Sequence, residues 1–413
     1  MVTVFGLGFV GLTTALSFAH LGYKTYGIDI DQERLKLIQN GELPFHEPYM
    51  SDELKKHIGN NLIVTDDIKE AIQNSDYIFY CVGTPYGING AADLKYLFSA
   101  IDMTIDAISD KRFRVLITKS TIPPTTTAEK IIPYIKEKGD IANQIGIANN
   151  PEFLREGHCW EDVINADRIV VGCGDVKVAK KLEELYKPMR IPFFAVSYST
   201  GEFIKYLSNT LLATMISYSN EMAQVADTFG GIDIAKAFRI LHMDSRWNHS
   251  EMSSYVYPGC GYGGYCLPKD TNALYAQSKE KGFTPPILKS VIDTNNQRAK
   301  VIATKIVNQL AGVKKVGILG LSFKPESDDV RDTPAAQIVR ELQKLSSNCK
   351  VYAYDPIAGT EFKKRYVDLN IILCTSAEEV LNNTDIIAIT TAWKEFRNLD
   401  FKMKKVIDCR YML

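Results

Sequence analysis

Short, almost continuously apolar segments alternate with longer amphipathic segments through the first part of the chain. Strands of a parallel sheet that is covered on both faces have this apolar character, and the segments between them have the spacing of helices. The predicted strands are Thr3–Gly6, Thr25–Asp29, Tyr77–Val82, Arg114–Lys119, Ile145–Asn149 and Arg168–Gly172. The alternation predicts a doubly wound parallel sheet.

Around Ser197 the pattern becomes helical. No proline or glycine occurs between Glu202 and Phe229, which predicts one long helix that begins near Thr200. Helical spacing continues to about Leu241 and, after a glycine-rich segment, resumes between Leu267 and Leu310. We therefore expect a mainly helical middle domain.

After Lys314 the first pattern returns, with local similarity to the N-terminal segment. The similar pairs are Val316–Leu321 with Val2–Leu7, Lys350–Asp355 with Lys24–Asp29, and Asp385–Thr391 with Asp76–Val82. They indicate either a second, degenerate copy of one unit or the general likeness of two parallel sheets. Both interpretations predict an α/β protein with two Rossmann-like doubly wound domains, residues 1–196 and 297–413, joined by a central helical domain, residues 197–296.

Composition excludes several classes of protein. With 413 residues, 46% apolar and 23% charged, the chain resembles an ordinary globular protein rather than a disordered one. The 48 basic and 49 acidic residues nearly cancel, so we expect neither nucleic acid nor an anionic membrane as a partner. Eight cysteines without zinc-type spacing predict reduced thiols, a cytoplasmic protein and no bound metal.

Residues 2–23 carry no charge and are long enough to span a bilayer. Glycines interrupt this segment, however, and no basic stretch precedes it as in a signal peptide. We interpret it as a buried strand, a glycine turn and a buried helix, and we expect no membrane or targeting segment.

That glycine turn reads Gly6-x-Gly8-x-x-Gly11, directly after a predicted strand, and Asp29 closes the next strand. Glycines here permit a tight turn and close approach of a pyrophosphate to a helix N-terminus. A carboxylate at position 29 can bind both ribose hydroxyls and would repel a 2′-phosphate. The motif predicts NAD rather than NADP as the cofactor.

A second motif surrounds Cys266. Four glycines between Gly259 and Gly264 precede it, and Lys269 and Asp270 follow it at the start of a predicted helix. A helix N-terminus and a nearby lysine activate a thiol, so this cysteine is a candidate nucleophile rather than a buried apolar residue.

Other polar residues are candidates by position. Lys205 and Asn209 are four residues apart, on one face of the long predicted helix, and can orient a substrate hydroxyl. The alternative is a surface lysine and an ordinary asparagine. Thr84, Thr121 and Glu152 follow predicted strands, where open α/β sheets bind ligands, although such residues are often helix caps.

Five motifs in order across the chain resemble those of the UDP-glucose/GDP-mannose dehydrogenase family of nucleotide-sugar 6-dehydrogenases. They are the glycine turn, KSTIPP at 119–124, NPEFLREG at 150–157, CGYGGYCLPKDT at 260–271 and GLSFKPESDDVRDTP at 320–334. The resemblance implies four-electron oxidation of a C6 alcohol to a carboxylate with two NAD, through a cysteine thioester. It also implies a homodimer formed through the long helix.

The resemblance assigns residues to three groups. The catalytic group is Cys266, Lys205, Asn209, Asp270, Glu152 and Thr121. Besides the glycines, NAD would be bound by Val10, Asp29, Arg34, Thr84, Thr121, Glu156, Lys269 and Arg331. The nucleotide sugar would be bound by Glu152, Phe153, Leu154, Arg155, Glu156, Lys205, Asn209, Arg246, Tyr255, Val256, Tyr257, Pro258, Gly259, Gly263, Lys324 and Arg410. Two departures from the family pattern are Cys409, in place of a glycine, and His158-Cys159-Trp160, in place of smaller residues.

The resemblance favours UDP-glucose as the substrate. GDP-mannose is the main alternative, because its dehydrogenases share the CLPKD segment. UDP-N-acetylhexosamines are disfavoured by Tyr265 and Leu267 beside the cysteine. A protein that binds NAD and a nucleotide sugar without catalysis is a further alternative, which the intact candidate residues argue against.

Overall fold

The structure is a computed structural model that describes residues 1–85, 87, 91–244, 257–310 and 315–413. The chain forms two compact units, Met1–Leu207 and Ser208–Leu413. Among the described residues, no helix combines the length and apolar character that a membrane span requires.

The first unit contains an eight-stranded sheet in the order β3-β2-β1-β4-β5-β6-β7-β8. Its strands are β1 (Val2–Phe5), β2 (Thr25–Ile28), β3 (Leu62–Thr65), β4 (Tyr77–Tyr80), β5 (Arg114–Thr118), β6 (Ile145–Asn149), β7 (Ile169–Cys173) and β8 (Phe193–Val196). All neighbours are parallel except β6 and β7, which are antiparallel through two residue pairs. The sheet is therefore mixed rather than wholly parallel as predicted. Apolar runs do not distinguish the two cases, because a central strand is buried on both faces whether it runs parallel or antiparallel to its neighbour.

Helices cover both faces of this sheet. They are α1 (Phe9–His20), α2 (Gln32–Gln39), α3 (Met50–His57), α4 (Ile68–Asn74), α5 (Lys95–Ala107), α6 (Ile132–Lys136), α7 (Cys159–Ile164) and α8 (Val176–Tyr186). Successive side chains of β1 point to opposite faces, so Val4 packs in one core with Leu12 of α1, and Phe5 packs in the other with Leu97 of α5. This burial explains the uncharged N-terminal segment.

The long helix α9 (Tyr198–Phe229) begins in the first unit and continues into the second. The other helices of the second unit are α10 (Ile234–Leu241), α11 (Cys266–Glu280), α12 (Pro286–Gln309), α13 (Pro334–Leu345), α14 (Gly359–Arg365) and α15 (Ala377–Asn383). The predicted helical stretch 267–310 is interrupted between α11 and α12. Gly282 lies there with a φ of +91°, and Pro285 caps the next helix.

The second unit carries a five-stranded parallel sheet in the order β11-β10-β9-β12-β13. Its strands are β9 (Lys315–Leu319), β10 (Lys350–Tyr354), β11 (Ile371–Leu373), β12 (Ile386–Ile389) and β13 (Lys405–Asp408). This order matches β3-β2-β1-β4-β5 of the first unit. The predicted fold class, two Rossmann-like sheets with a helical segment between them in sequence, is confirmed.

The turn after the first strand is also similar in the two units. The Leu7 amide donates to Asp29 Oδ2 at 2.7 Å, and the Leu321 amide donates to Asp355 Oδ2 at the same distance. Gly320 has a φ of +98°, close to the +84° of Gly6. These correspondences favour a duplicated unit over a general likeness of two sheets.

The second turn, however, is closed. Ser322 stands where the first copy has Gly8, and its hydroxyl donates to Asp355 Oδ2 at 2.9 Å. The Trp393 indole N–H donates to the same oxygen at 3.1 Å, while Asp355 Oδ1 accepts the amides of Ile357 and Ala358. Asp355 thus accepts more donors of its own chain than Asp29 does, including a hydroxyl and an indole, and Ser322 replaces the open position of the first turn.

Candidate functional site

The glycine turn between β1 and α1 has the shape of a dinucleotide cradle. A Cβ on Gly6 would lie 2.9 Å from the Cys81 carbonyl oxygen, and one on Gly11 would lie 1.6 Å from the Gly6 carbonyl oxygen. Gly8 faces open space, with no heavy atom within 4 Å of its would-be Cβ. Gly6 and Gly11 are thus required by the turn itself, whereas the opening at Gly8 fits a pyrophosphate at the N-terminus of α1.

Asp29 follows β2 and is buried beside this turn. Its Oδ2 accepts the Leu7 amide and Arg34 Nη1, at 2.7 and 2.9 Å, and its Oδ1 accepts the Asp31 amide at 3.0 Å. The guanidinium of Arg34 is also 3.5 Å from Asp31. The predicted pair Asp29 and Arg34 is therefore brought together, with the arginine offsetting part of the negative charge.

The remaining cofactor candidates of this unit also lie near the turn or at strand ends. Val10 is the second residue of α1. Thr84 and Thr121 follow β4 and β5, and the Thr84 hydroxyl donates to the Thr121 carbonyl at 2.9 Å. Glu156 is half-buried in the loop after β6. The structure thus places these polar residues at the carboxyl ends of parallel strands, where such sheets bind ligands.

Glu152 and Lys205 form a buried ion pair, with Oε1 and Nζ 2.9 Å apart. Glu152 Oε2 accepts the Leu154 amide at 2.6 Å. Burial opposes ionisation of Glu152, but Lys205, the Leu154 amide and Lys119 outweigh it and lower the pKa of this carboxyl. The Phe153 ring lies 5.6 Å from the Lys205 ammonium. Glu152 is therefore held in its carboxylate form.

Lys119 is a buried cation that the sequence interpretation missed. Its Nζ donates to Asn150 Oδ1 at 3.0 Å, and the same oxygen accepts the Tyr186 hydroxyl at 2.6 Å. Burial, reinforced by the charge of Lys205, lowers the pKa of Lys119. A lysine directly after an apolar strand was the available signal for a buried cation next to the site.

The rest of the segment after β6 is held by local contacts. Arg155 pairs with Asp162 of α7 at 2.7 Å, so its guanidinium is already engaged. Glu47 accepts the amides of Gly157 and Cys159 at 2.8 and 2.6 Å, an anchor absent from the sequence interpretation. Cys159 and Trp160, unusual for the family, pack into the core of the first unit.

In the second unit, Cys266 is the first residue of α11 and is half-buried. Lys269, one turn later, donates to Asp270 Oδ1, and Asn209 Nδ2 donates to Asp270 Oδ2 at 2.6 Å. Burial alone would lower the pKa of Lys269, but the negative charges of Asp270 and the Cys266 sulfur have the larger, opposite effect, so the pKa of Lys269 is raised. Four predicted catalytic or cofactor residues are thus gathered around one helix N-terminus, with a fixed positive charge near the sulfur.

The glycine loop before Cys266 is clamped by side chains that the sequence interpretation did not single out. Asn220 Oδ1 accepts the Gly259 amide at 2.7 Å, and Arg298 Nε donates to the Gly259 carbonyl at 2.7 Å. Asn295 bonds both the amide and the carbonyl of Tyr262, at 2.8 and 3.1 Å. These partners lie 33 to 39 positions away in sequence, so no local pattern reveals them.

Close packing explains why Gly263 is a glycine and places Arg410 beside Gly259. A Cβ on Gly263 would lie 2.5 Å from the Asp332 carbonyl oxygen, whereas one on Gly259 would lie 3.0 Å from Nη1 at the flexible end of Arg410, which can shift. Arg410 is therefore placed at the glycine loop although Cys409 precedes it. Cys409 is buried, with its carbonyl 3.9 Å from the Cys260 sulfur.

The other candidates of this unit lie in the same region or outside the described residues. The Tyr265 ring has the Arg331 guanidinium at 4.4 Å and the Lys269 ammonium at 5.5 Å. Pro258 is buried, Tyr257 donates to the Tyr411 carbonyl at 3.3 Å, and Lys324 lies 5.5 Å from the Phe323 ring. The predictions for Arg246, Tyr255 and Val256 fall outside the described residues.

Three family models match the chain in order. Residues 1–190 match the NAD binding domain of the UDP-glucose/GDP-mannose dehydrogenase family, residues 199–297 match its central domain, and residues 317–413 match its UDP binding domain.

Individual relatives match over almost the full length. UDP-glucose 6-dehydrogenase TuaD of Bacillus subtilis is 34% identical over 410 residues, covering 98% of this chain and 86% of the relative. A UDP-glucose 6-dehydrogenase of Rickettsia conorii is 36% identical over 406 residues, covering 97% of this chain and 91% of the relative. The solved structure of a UDP-glucose dehydrogenase from Pyrobaculum islandicum, 32% identical, superposes with a TM-score of 0.93 and covers 100% of this chain and 94% of that one.

Proposed function

The chain belongs to the UDP-glucose/GDP-mannose dehydrogenase family, and we propose that it oxidises UDP-glucose at C6 to UDP-glucuronate. It is an NAD-dependent oxidoreductase, as the family resemblance predicted. The observation that carries the proposal is the set formed by Cys266, Lys269, Asp270 and Asn209 at the start of α11. A two-electron alcohol dehydrogenase would not need a thiol there.

NAD, when bound, accepts hydride from the substrate carbon. The open position at Gly8, the N-terminal amides of α1 and the Asp29 carboxylate would hold it. Thr84, Thr121 and Glu156 lie along the same strand ends, and Arg34 accompanies Asp29. These donors and acceptors match a dinucleotide with two free ribose hydroxyls.

Cys266 would retain the substrate between its two oxidations. Its sulfur adds to the C6 aldehyde, and the thiol proton moves to the carbonyl oxygen, giving a thiohemiacetal that is again an oxidisable alcohol. Oxidation of that carbon gives a thioester, and water then displaces the sulfur to release the carboxylate. The nearby Lys269 charge favours the thiolate both as nucleophile and as leaving group.

The pairs Asn209–Asp270 and Lys205–Glu152 would transfer protons and stabilise negative charge on the substrate oxygen. Asn209 is oriented by Asp270, and Lys205 by Glu152, so each donor has a fixed direction. In our proposal Lys205 and Asn209 stabilise negative charge on the substrate oxygen, and ionised Glu152 is the general base for the hydrolytic water. The family resemblance assigns Asp270 and Thr121 to a water or proton relay.

UDP-glucose is favoured over other nucleotide sugars because both relatives described above and the solved structure carry that name. GDP-mannose and UDP-N-acetylhexosamines are the alternatives that the family allows. As part of the proposal we divide the chain into domains at residues 1–196, 197–296 and 297–413, and the three separate family-model matches support this division.

We also propose that the enzyme is a cytoplasmic homodimer. All eight cysteines are free thiols, as a reducing compartment favours. The described face of α9 exposes large apolar side chains, among them Leu211 at 52% and Tyr218 at 54%. Leu211 and Tyr218 are seven residues apart, so they share one helix face that a second copy of the chain can cover.

The test is a substrate panel with the purified full chain. UDP-glucose, GDP-mannose, UDP-N-acetylglucosamine and UDP-N-acetylmannosamine are each incubated with NAD, and NADH and products are quantified. We expect two NADH and one uronate for each UDP-glucose, with no free aldehyde. Faster turnover of another sugar would replace the substrate assignment, and one NADH per sugar with released aldehyde would reject the thioester route.

A further inference from the structure

A cluster of two histidines and a glutamate lies in the first unit, away from the glycine turn. His20 is the last residue of α1; Glu53 lies in the first turn of α3, and His57, one turn later, is the last residue of that helix. Because α1 rises about 1.5 Å per residue, His20 is roughly 18 Å along the helix from the turn that would hold NAD. The cluster therefore needs an explanation of its own.

Its donor atoms converge on one point. Glu53 Oε2 is 2.9 Å from His20 Nδ1 and 3.2 Å from His57 Nε2, and the three atoms all lie within 4.8 Å of one another. Ligands about 2.0–2.1 Å from a tetrahedral zinc ion are spaced about 3.4 Å apart. Small side-chain rotations would bring the cluster to that spacing.

His57 adds an independent indication. It is only 5% exposed; its Nδ1 has no hydrogen-bond partner, and its Nε2 faces the Glu53 carboxylate at 3.2 Å without forming a well-directed hydrogen bond. A metal ion bound at Nε2 would give this buried nitrogen a directed partner.

Neighbouring side chains orient the cluster. Lys56 contacts the other carboxylate oxygen, Oε1, at 3.7 Å, which leaves Oε2 directed at the histidines. The Trp160 ring packs edge-on against His20 at 5.5 Å, and the two histidine rings meet edge-on at 6.0 Å. His20 retains partial exposure, so the site has an open side for entry and for a water ligand.

We propose that His20, Glu53 and His57 form a binding site for Zn²⁺ or a similar divalent transition-metal ion. Two imidazoles and one carboxylate, with water as the fourth ligand, are a donor set that zinc uses in proteins. The ion would tie the end of α1 to the end of α3. This role is separate from the oxidation chemistry, and it departs from the expectation of a metal-free protein.

The test uses the full chain after chelator treatment, without nucleotides. Co²⁺ is titrated while visible absorption is followed, and Zn²⁺ binding is measured by calorimetry. We expect one ion per chain, absorption typical of four- or five-coordinate cobalt without sulfur-to-metal charge transfer, and displacement of Co²⁺ by Zn²⁺. Zn²⁺ should also raise the thermal unfolding midpoint.

Variants separate this site from others. His20→Ala and Glu53→Gln should each weaken binding at least about tenfold, since even second-shell changes cost that much. His158→Ala is the matched control, because His158 also lies beside a glutamate, Glu161, at 3.6 Å. This variant should bind Zn²⁺ as the wild type does. Circular dichroism checks that each variant folds. Binding unchanged in both site variants, a thiolate spectrum, or no binding up to about 1 mM Zn²⁺ would overturn the proposal.

Discussion

At the scale of single residues, the proposed reaction depends most on the sulfur of Cys266, which must both attack and leave. In Cys266→Ser the tether is a hydroxyl, a poorer nucleophile at neutral pH and a poorer leaving group from its ester. We expect turnover of UDP-glucose to fall at least about a thousandfold, with NAD binding retained. Mass spectrometry should detect a slowly hydrolysed ester on position 266.

The matched control for this variant is Cys173→Ser. Cys173 is another half-buried thiol, in β7, and burial raises its pKa, so it is a poor nucleophile. This variant should keep wild-type turnover. Two NADH per sugar at an undiminished rate from Cys266→Ser would show that the thiol is structural.

Cofactor choice is also decided by single residues, Asp29 and Arg34. In Asp29→Ser the carboxylate that repels a 2′-phosphate is gone and Arg34 is released to bind one. We expect the ratio of kcat/KM for NADP to that for NAD to rise at least about tenfold. Steady-state kinetics with both cofactors measures the ratio.

Asp31→Ser is the control for the cofactor switch. It removes the other carboxylate near Arg34, while serine can still cap α2 in place of Asp31. The preference for NAD should persist. If Asp29→Ser also keeps that preference, Asp29 does not set cofactor choice.

At the scale of elements, the start of α9 is fastened by a buried carboxyl group. Glu202 Oε1 accepts the amide and the hydroxyl of Thr127, at 2.7 and 2.6 Å, while Oε2 is buried without a hydrogen bond. Burial, only partly offset by the Thr127 donors, raises the pKa of Glu202 to about 7. The folded state therefore prefers the protonated form of this side chain.

This raised pKa gives stability a defined dependence on pH. Between about pH 4.5 and 7 the folded state binds more protons at Glu202 than the unfolded state, so stability falls as pH rises through this window. Glu202→Gln removes the titration, and the loss of unfolding free energy across the window should shrink by up to about 3 kcal/mol. Urea unfolding at pH 5 to 8 measures it.

The exposed Glu183→Gln is the comparison for this experiment, because its carboxyl is solvated in both states. Its pH profile should follow that of the wild type. A Glu202→Gln profile parallel to the wild type would mean that Glu202 ionises normally in the folded protein.

Elements also show how far the sequence alone could predict the structure. Strands buried on both faces, such as β1 and β5, were found because apolar runs mark them. β3 and β8 were missed although their segments, LIVT and FFAV, are also apolar; they are the two edge strands of the sheet and are only partly buried. The candidate residues of the glycine turn and of α11 were predicted from local spacing. Glu47, Asn295 and Arg298 were missed because their partners lie far away in sequence, and Lys119 was missed although it directly follows an apolar strand.

At the scale of the whole molecule, the proposed homodimer predicts that charge on the exposed face of α9 separates the subunits. The double variant Leu211→Glu, Tyr218→Glu places two charges on the apolar surface that the second copy would cover. We expect the light-scattering mass to fall from dimer to monomer at micromolar concentration. Val367→Glu, at an 84% exposed position in the second unit, should remain dimeric. A wild-type chain that is monomeric and fully active would contradict the proposal.

The second glycine turn, closed by Asp355 and Trp393, bears on the order of events in the proposed reaction. Of the two glycine turns among the described residues, the first is open at Gly8 and the second has Ser322 at that place, yet the proposed reaction removes four electrons from each sugar. Cys266 must then hold the sugar at the aldehyde oxidation level while NADH leaves the first unit and a second NAD binds. The bond between the Cys266 sulfur and C6 must therefore persist longer than the exchange of NADH for NAD takes. The yield of uronate then depends on the lifetime of this bond and on the ratio of NAD to NADH around the enzyme.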